Sequence, residues 1–113
     1  MMSQRHKQRL LDNTLIALAD PRRRKILRRL ARGDARVTDI AQRFPISLSS
    51  ISKHIKLLER ARLVARRRVG REHILRFRSA PLQKVQEWIS RQEAFWRAGL
   101  KELDKLLNQD EPH

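Results

Sequence analysis

Between Ser47 and Leu58 the chain carries short hydroxyls followed by long cations: Ser49, Ser50, Ser52, Lys53, His54 and Lys56. Serine hydroxyls donate and accept hydrogen bonds while letting a backbone sit close to what it reads; lysine and histidine reach further, to guanine edges or to phosphate. A second cationic group lies at Arg67, Arg68 and Arg71, and from Arg60 to Arg78 the single acid is Glu72. Arginines so dense supply charge for a polyanion more than they read sequence. Arg71, next to Gly70, is the one placed to enter a narrow minor groove, which attracts arginine. Upstream, Arg36 and Thr38 are further candidates for phosphate contacts. The chemistry these residue types support is non-covalent recognition of double-stranded DNA.

Other chemistry finds little to work with. There is no cysteine, which excludes disulfides, thiolate metal sites and cysteine nucleophiles. His6, His54, His73 and His113 share no spacing that suits a metal. The three glycines are isolated, so no glycine-rich phosphate loop exists. The few acids mostly sit beside bases on helix faces, as Glu59 does beside Arg60, and no nucleophile is paired with a base. No catalytic residue, metal or cofactor is assigned, and the chain is not read as an enzyme.

The balance of charge agrees. The 113 residues hold 27 Lys plus Arg against 12 Asp plus Glu, a formal net charge of +15, which attracts polyanions and repels other cations. A 40% hydrophobic share still suffices for one modest core, so the whole is not a disordered basic tail. No apolar run approaches the roughly 20 residues of a membrane helix. The start, MMSQRHKQRLLDN, lacks the apolar centre of a secretory signal. A cytoplasmic protein, nucleoid-associated when bound to DNA and with no membrane partner, is expected.

These residues need elements to position them. Leu10, Leu11, Leu15, Ile16 and Leu18 make a helical stripe, preceded by a flexible basic arm over residues 1–9. Asp20-Pro21 opens a second helix, because Asp accepts from orphan amides and Pro at the first position has no amide to lose. That helix buries Ile26, Leu27, Leu30 and Ala31 and stops near Gly33. Its other face, Arg22, Arg24, Lys25, Arg28 and Arg29, reads as a solvated surface. Thr38 caps a short helix with Ile40, Ala41 and Phe44 inside, and Pro45 ends it. Ser47 caps the next, whose buried stripe is Leu48, Ile51, Ile55, Leu58 and Ala61. Two such helices across a tight turn form a helix-turn-helix.

After Leu63 the period shortens to that of strands over Val64–Val69 and Glu72–Arg78, with Gly70-Arg71 as the turn. Gly70 can supply the positive φ such a turn requires. A hairpin so charged is not stable alone; anchored by Leu63, Leu75 and Phe77 it becomes a wing. Pro81 opens the last helix. There Leu82, Val85, Trp88, Ile89, Phe95, Trp96, Leu100, Leu103 and Leu107 recur with a period near 3.5. Its first turns pack on the domain, but so small a domain cannot cover the rest. A partner helix does, most simply from a second copy, with Leu11 and Leu15 of the first helix as companion surface. The expected fold is mainly α with a small β-hairpin wing, in the order α-α-α-α-β-β-α. The winged helix-turn-helix occupies 10–80, the dimerisation helix 81–109, and a frayed tail 110–113.

Three stretches, LADPRRRKILRRL, VTDIAQRFPISLSSISKHIKLLERARLV and RRRVGREHILRF, resemble the ArsR/SmtB family of winged-helix repressors. The resemblance runs from about Leu15 to Phe77. The last helix, with EWISRQEAFWRAGLKELDKLL, is similar to the branch ending in a tryptophan-bearing dimer helix. It implies a homodimer that binds an imperfect palindrome near its own promoter and usually represses. It puts Ser49, Ser50, Ser52, Lys53 and His54 on recognition-helix contacts, and Arg68 and Arg71 on the wing. The sequence also departs from the family. Arg36 and Thr38 stand where one metal-site type has a CxC pair, and the last helix has no histidine for the other. Arg62 stands where many members have glycine, which implies a strained positive φ or a differently built turn. Leu48 replaces a residue that is often polar.

Two rival readings differ in what they require. A non-sequence-specific architectural nucleic-acid protein explains the charge but not the ordered serine face. An interaction module using the last helix for a different protein predicts a monomer with an exposed Trp88–Leu107 stripe. A small-molecule effector between the first and last helices, near Trp88 and Trp96, stays open, since no polar group there names one.

Overall fold

A computed structural model describes residues 3–109. The chain runs α1 (Gln4–Ala19), α2 (Pro21–Ala31), β1 (Ala35–Arg36), α3 (Val37–Arg43), α4 (Leu48–Arg60), β2 (Val64–Val69), β3 (Glu72–Phe77) and α5 (Ala80–Gln109). It is mostly helical, with the expected α4 and hairpin in sequence. Several details depart from the expectation. Gln4–Arg9 belong to α1 instead of a flexible arm, because the Ser3 hydroxyl accepts from the His6 amide at 3.1 Å and caps the helix six residues early. A two-residue strand, β1, joins the hairpin. Residue 36 rather than Thr38 takes the cap position of α3, with the Asp39 carboxylate accepting from the Arg36 amide at 3.2 Å. β3 ends at Phe77, one residue early. The tail expected at 110–113 lies outside the described residues.

The helix starts follow from their caps. Asp20 accepts from the Arg22 amide at 2.7 Å with Pro21 in the first turn of α2. Ser47 accepts from the Ser50 amide at 3.1 Å and starts α4. Ser79 accepts at its carbonyl from the Leu82 and Gln83 amides, so α5 begins with Ala80 and Pro81 follows as its second residue.

The core forms where α2, α3, α4 and the sheet meet. Ile26, Ile40, Ile51, Ile55, Leu58, Leu63 and Leu75 are fully buried there. Each such side chain contributes about 1.5–3 kcal/mol by leaving water. Leu48, expected in that stripe, is 61% exposed at the first position of α4, and Ala31 is exposed at the end of α2. In α1 the fully buried positions are Thr14 and Ala17, while Leu18 packs partly buried against the core. The Thr14 hydroxyl needs no outside partner, since it donates to the Leu10 carbonyl at 2.9 Å.

The sheet order is β1-β3-β2, all antiparallel. β1 covers only the middle of β3, pairing Ala35 with Leu75 and Arg36 with Ile74. At the tip, Val69 pairs with Glu72, and Gly70 takes φ 64°. Positive φ at the first central residue alone is the type II′ pattern, whose twist suits a two-residue hairpin. α5 is different in kind. It has 30 residues, roughly 45 Å of helix, yet Val85 is its only buried residue among those described. The radius of gyration is 20.3 Å, against about 13 Å for a compact chain of this length.

Candidate nucleic-acid interface

The buried stripe of α4 fixes what the helix shows outside. With Ile51, Ile55 and Leu58 turned inward, the 3.6-residue period turns Ser49, Lys53, Lys56 and Arg60 outward, and all four are exposed. Ser50, Ser52 and His54 lie on the flanks and are half-buried. Ser50 is also engaged locally, since it accepts the Ser47 hydroxyl at 3.1 Å. Ser47 is therefore a cap, as its position suggested, while the Ser49 and Ser52 hydroxyls have no hydrogen-bond partner among the described residues. Arg60 shares the outward face with Lys53 and was not singled out from sequence. Its position seven residues beyond Lys53 is the signal that places it there.

Alternation along the hairpin sorts the wing arginines by face. Arg66 and Arg68 stand on the Leu75 side, and Arg67 on the Ile74 side. Arg66 donates to Glu59 of α4 at 2.7 Å, and Arg67 donates to Asp34 at 2.7 Å. Arg68 bonds the Gly70 carbonyl at 3.0 Å and so braces the turn. Arg71 is exposed at the tip with no carboxylate partner among the described residues. Arg36 holds two acids at once, Asp39 and Glu72, each at 2.9 Å, and joins α3 to the hairpin. Thr38 is exposed in the first turn of α3.

Those pairings have a collective consequence. Between residues 20 and 77 the sequence has five carboxylates, Asp20, Asp34, Asp39, Glu59 and Glu72. Every one lies within 4 Å of an arginine. The Arg36 guanidinium holds the Asp39 carboxyl below its ordinary range, and the two acids push Arg36 above its own. Asp20 is also held low, first by the Arg22 amide hydrogen bond, with burial opposing and the Arg23 charge adding. The domain's negative charge is thus neutralised internally. Lys53, Lys56, Arg60 and Arg71 have no carboxylate partner among the described residues.

A buried arginine was not anticipated. Arg23 is 8% exposed; its Nε donates to the Ala17 carbonyl and its Nη2 to the Ile16 carbonyl, both at 2.9 Å. Its Nη1 lies 3.3 Å from His54 Nδ1 and 3.7 Å from the Asp20 carboxylate. The clue in the sequence is periodic: position 23 precedes Ile26, Leu27 and Leu30 by three, four and seven, so it sits on the apolar face.

On α1 and α5, the residues expected at a dimer contact share an exposed apolar surface with their neighbours. Leu15, Trp88 and Ile89 are partly exposed, while Phe95, Trp96, Leu100, Leu103 and Leu107 are more than half exposed; Leu11 is half-buried. Phe95 and Trp96 meet edge to face with ring centroids 6.2 Å apart. Among the described residues no group of three His, Asp or Glu could hold a metal, and no helix is long and apolar enough to cross a membrane.

Comparison with known proteins places this geometry. A family described as a helix-turn-helix domain matches residues 18–67. The chain is 32% identical over 99 residues to the HTH-type transcriptional regulator Rv2034 of Mycobacterium tuberculosis, covering 88% of this chain and 90% of that one. It is 37% identical over 79 residues to the transcriptional repressor SdpR of Bacillus subtilis, covering 70% and 88%. Among solved structures, an ArsR-like transcriptional regulator from Rhodococcus sp. RHA1 superposes with a TM-score of 0.84 at 32% identity, covering 90% of this chain and 94% of that one.

Proposed function

Because the chain belongs to the ArsR/SmtB family of helix-turn-helix transcriptional regulators, we propose that it is a homodimeric repressor of an imperfect palindromic operator, its own promoter included. It is a DNA-binding regulator and not an enzyme. In the proposed complex each protomer lays α4 in a major groove, with Ser49, Ser52, Lys53, His54 and Lys56 toward the bases and phosphates and Ser50 at the entry. Arg71 reaches the adjacent minor groove, and Arg67 and Arg68 hold the wing that carries it. Arg36 and Thr38 lie toward the phosphates, Arg36 by exchanging a carboxylate for one. Half-sites then lie one or two helical turns apart, about 34–36 Å per turn. The regulator works in the cytoplasm, on nucleoid DNA.

The observation that carries this reading is the internal pairing of all five acids between residues 20 and 77. It leaves Lys53, Lys56 and Arg60 on the outward face of α4 and Arg71 at the wing tip with no carboxylate partner among the described residues. The second copy is supported by the uncovered stripe of α5: residues from Phe95 to Leu107 more than half exposed are what a symmetric partner helix would bury.

Fluorescence anisotropy tests it, comparing a duplex spanning the chain's own promoter with random duplex of equal length. The repressor reading expects binding to the promoter at least about 10³-fold tighter than to random DNA, and a steep loss with salt. Equal affinity for both overturns it in favour of a non-specific architectural protein. Sedimentation of the pure chain as a monomer overturns the dimer.

A further inference from the structure

We infer that Arg23, though itself buried away from any duplex, is the positioning residue for His54, fixing that imidazole as a hydrogen-bond donor toward the DNA. The inference rests on the reading of α4 as the recognition helix. A guanidinium has five donors and no acceptor. Arg23 spends Nε and Nη2 on the Ala17 and Ile16 carbonyls, the last turn of α1, where carbonyls lack intrahelical partners. Its direction is thereby set, and Nη1 meets His54 Nδ1 at 3.3 Å. Nδ1 must be the acceptor in that pair, so the proton of the neutral ring is on Nε2.

Among the described residues Nε2 has no hydrogen-bond partner. No side-chain nitrogen or oxygen among them is both buried and unpartnered, so Nε2 is open to solvent on the flank of α4. The ring is thus held by one edge and offers an N–H at the other. The partner must be an acceptor: guanine N7 or O6, adenine N7, thymine O4, or a phosphate oxygen, but not the amino groups of cytosine or adenine. Since Arg23 also grips the end of α1, the reading angle of His54 is referenced to the helix that carries Leu11 and Leu15.

The test uses the full chain and a duplex that the wild-type chain enriches from a random-sequence pool. Failure to enrich any sequence would refute the repressor reading itself, independently of the role of Arg23. With that duplex, Arg23→Gln is expected to lower affinity by about 5-fold, the size of one hydrogen bond. In a His54→Ala background the same change is expected to have less than about 2-fold effect, because the two residues act in series. An equal loss in both backgrounds, or no loss with His54 present, overturns the inference, since a purely structural Arg23 acts without His54. Arg23→Lys serves in the same cycle if the glutamine variant does not fold. Imidazole ¹⁵N spectra of the wild-type chain give an independent readout: a proton on Nδ1 of His54 overturns the inference, one on Nε2 supports it. Single base-pair changes in the duplex separate the two acceptor sources. If His54→Ala erases discrimination at one base pair, the acceptor is a base edge; a uniform loss across sequences assigns it to phosphate.

Discussion

The two ends of this chain solve the burial problem differently. From Asp20 to Phe77 the domain closes on itself, with Ile26, Ile40, Ile51, Ile55, Leu58, Leu63 and Leu75 fully buried and every acid held by an arginine. Along α5, beyond Val85, the same kinds of apolar side chain stand in water. Leucine is a poor choice for a surface that stays wet and a good one for a surface that is covered. The comparison teaches that one region carries its stability within the chain, while the other leaves its apolar stripe uncovered. In the proposed dimer the first region reads DNA with a rigid face, and the second sets the spacing between two such faces.

The largest effect is expected from breaking the second region alone. Leu100→Asp with Leu103→Asp places charges in the proposed dimer seam. It should yield monomers in sedimentation and lower promoter affinity by about 10³-fold or more, since a single half-site forfeits the linked second contact. An unchanged dimer would dissolve the contrast. The next effect sets one substitution type against itself. Ile55→Ala should destabilise the protein by about 2–5 kcal/mol in urea unfolding, at every protein concentration. Leu103→Ala should instead shift a midpoint that depends on protein concentration, as coupled association demands.

Two smaller effects sharpen the domain side. Arg62 is held at φ 59° directly after α4, a left-handed conformation that disfavours side chains. Arg62→Gly should raise stability by about 0.5–1 kcal/mol, the relief of strain exceeding the added freedom of the unfolded chain. The last effect concerns acid. Asp20 and Asp39 have lowered pKa values in the fold, so their contribution is fully present above the ordinary carboxylate range. It is lost as pH falls through those lowered values. Asp20→Asn keeps a capping oxygen but cannot titrate, and should flatten the acid limb of a stability-against-pH curve by lowering the neutral plateau toward the acid value.

Much of this architecture is legible in the residues alone. Asp20-Pro21, Ser47 and Gly70 each act through local geometry, so the starts of α2 and α4 and the hairpin turn could be read directly. At Arg62 the resemblance left either a positive φ or a differently built turn, and the structure takes the first, at φ 59°. What escaped depends on other parts of the chain. β1 has two residues and no strand pattern of its own; it exists because β3 offers an edge beside it. Gln4–Arg9 are too polar to show a stripe, and their helix is written only in the cap at Ser3. Arg23 hid in a run of three arginines, where identity says surface and only its phase with Ile26 says core. In the candidate site, the face of α4 was legible, but the engagement of Arg36 by Glu72 and of Arg67 by Asp34 was not, because those partners lie 36 and 33 residues away and meet only through the fold.

The short strand beside the hairpin has a mechanical outcome. Its two rungs hold the middle of β3 at Leu75 and Ile74, and beyond them Arg68–His73, Val69–Glu72 and the turn overhang, tethered by the Arg36–Glu72 ion pair. That overhang is the least supported part of the wing, and the fingertip is where it can adapt to the contour beneath it. Evolution or a designer can lengthen, trim or rewrite that tip without touching the hydrophobic interior.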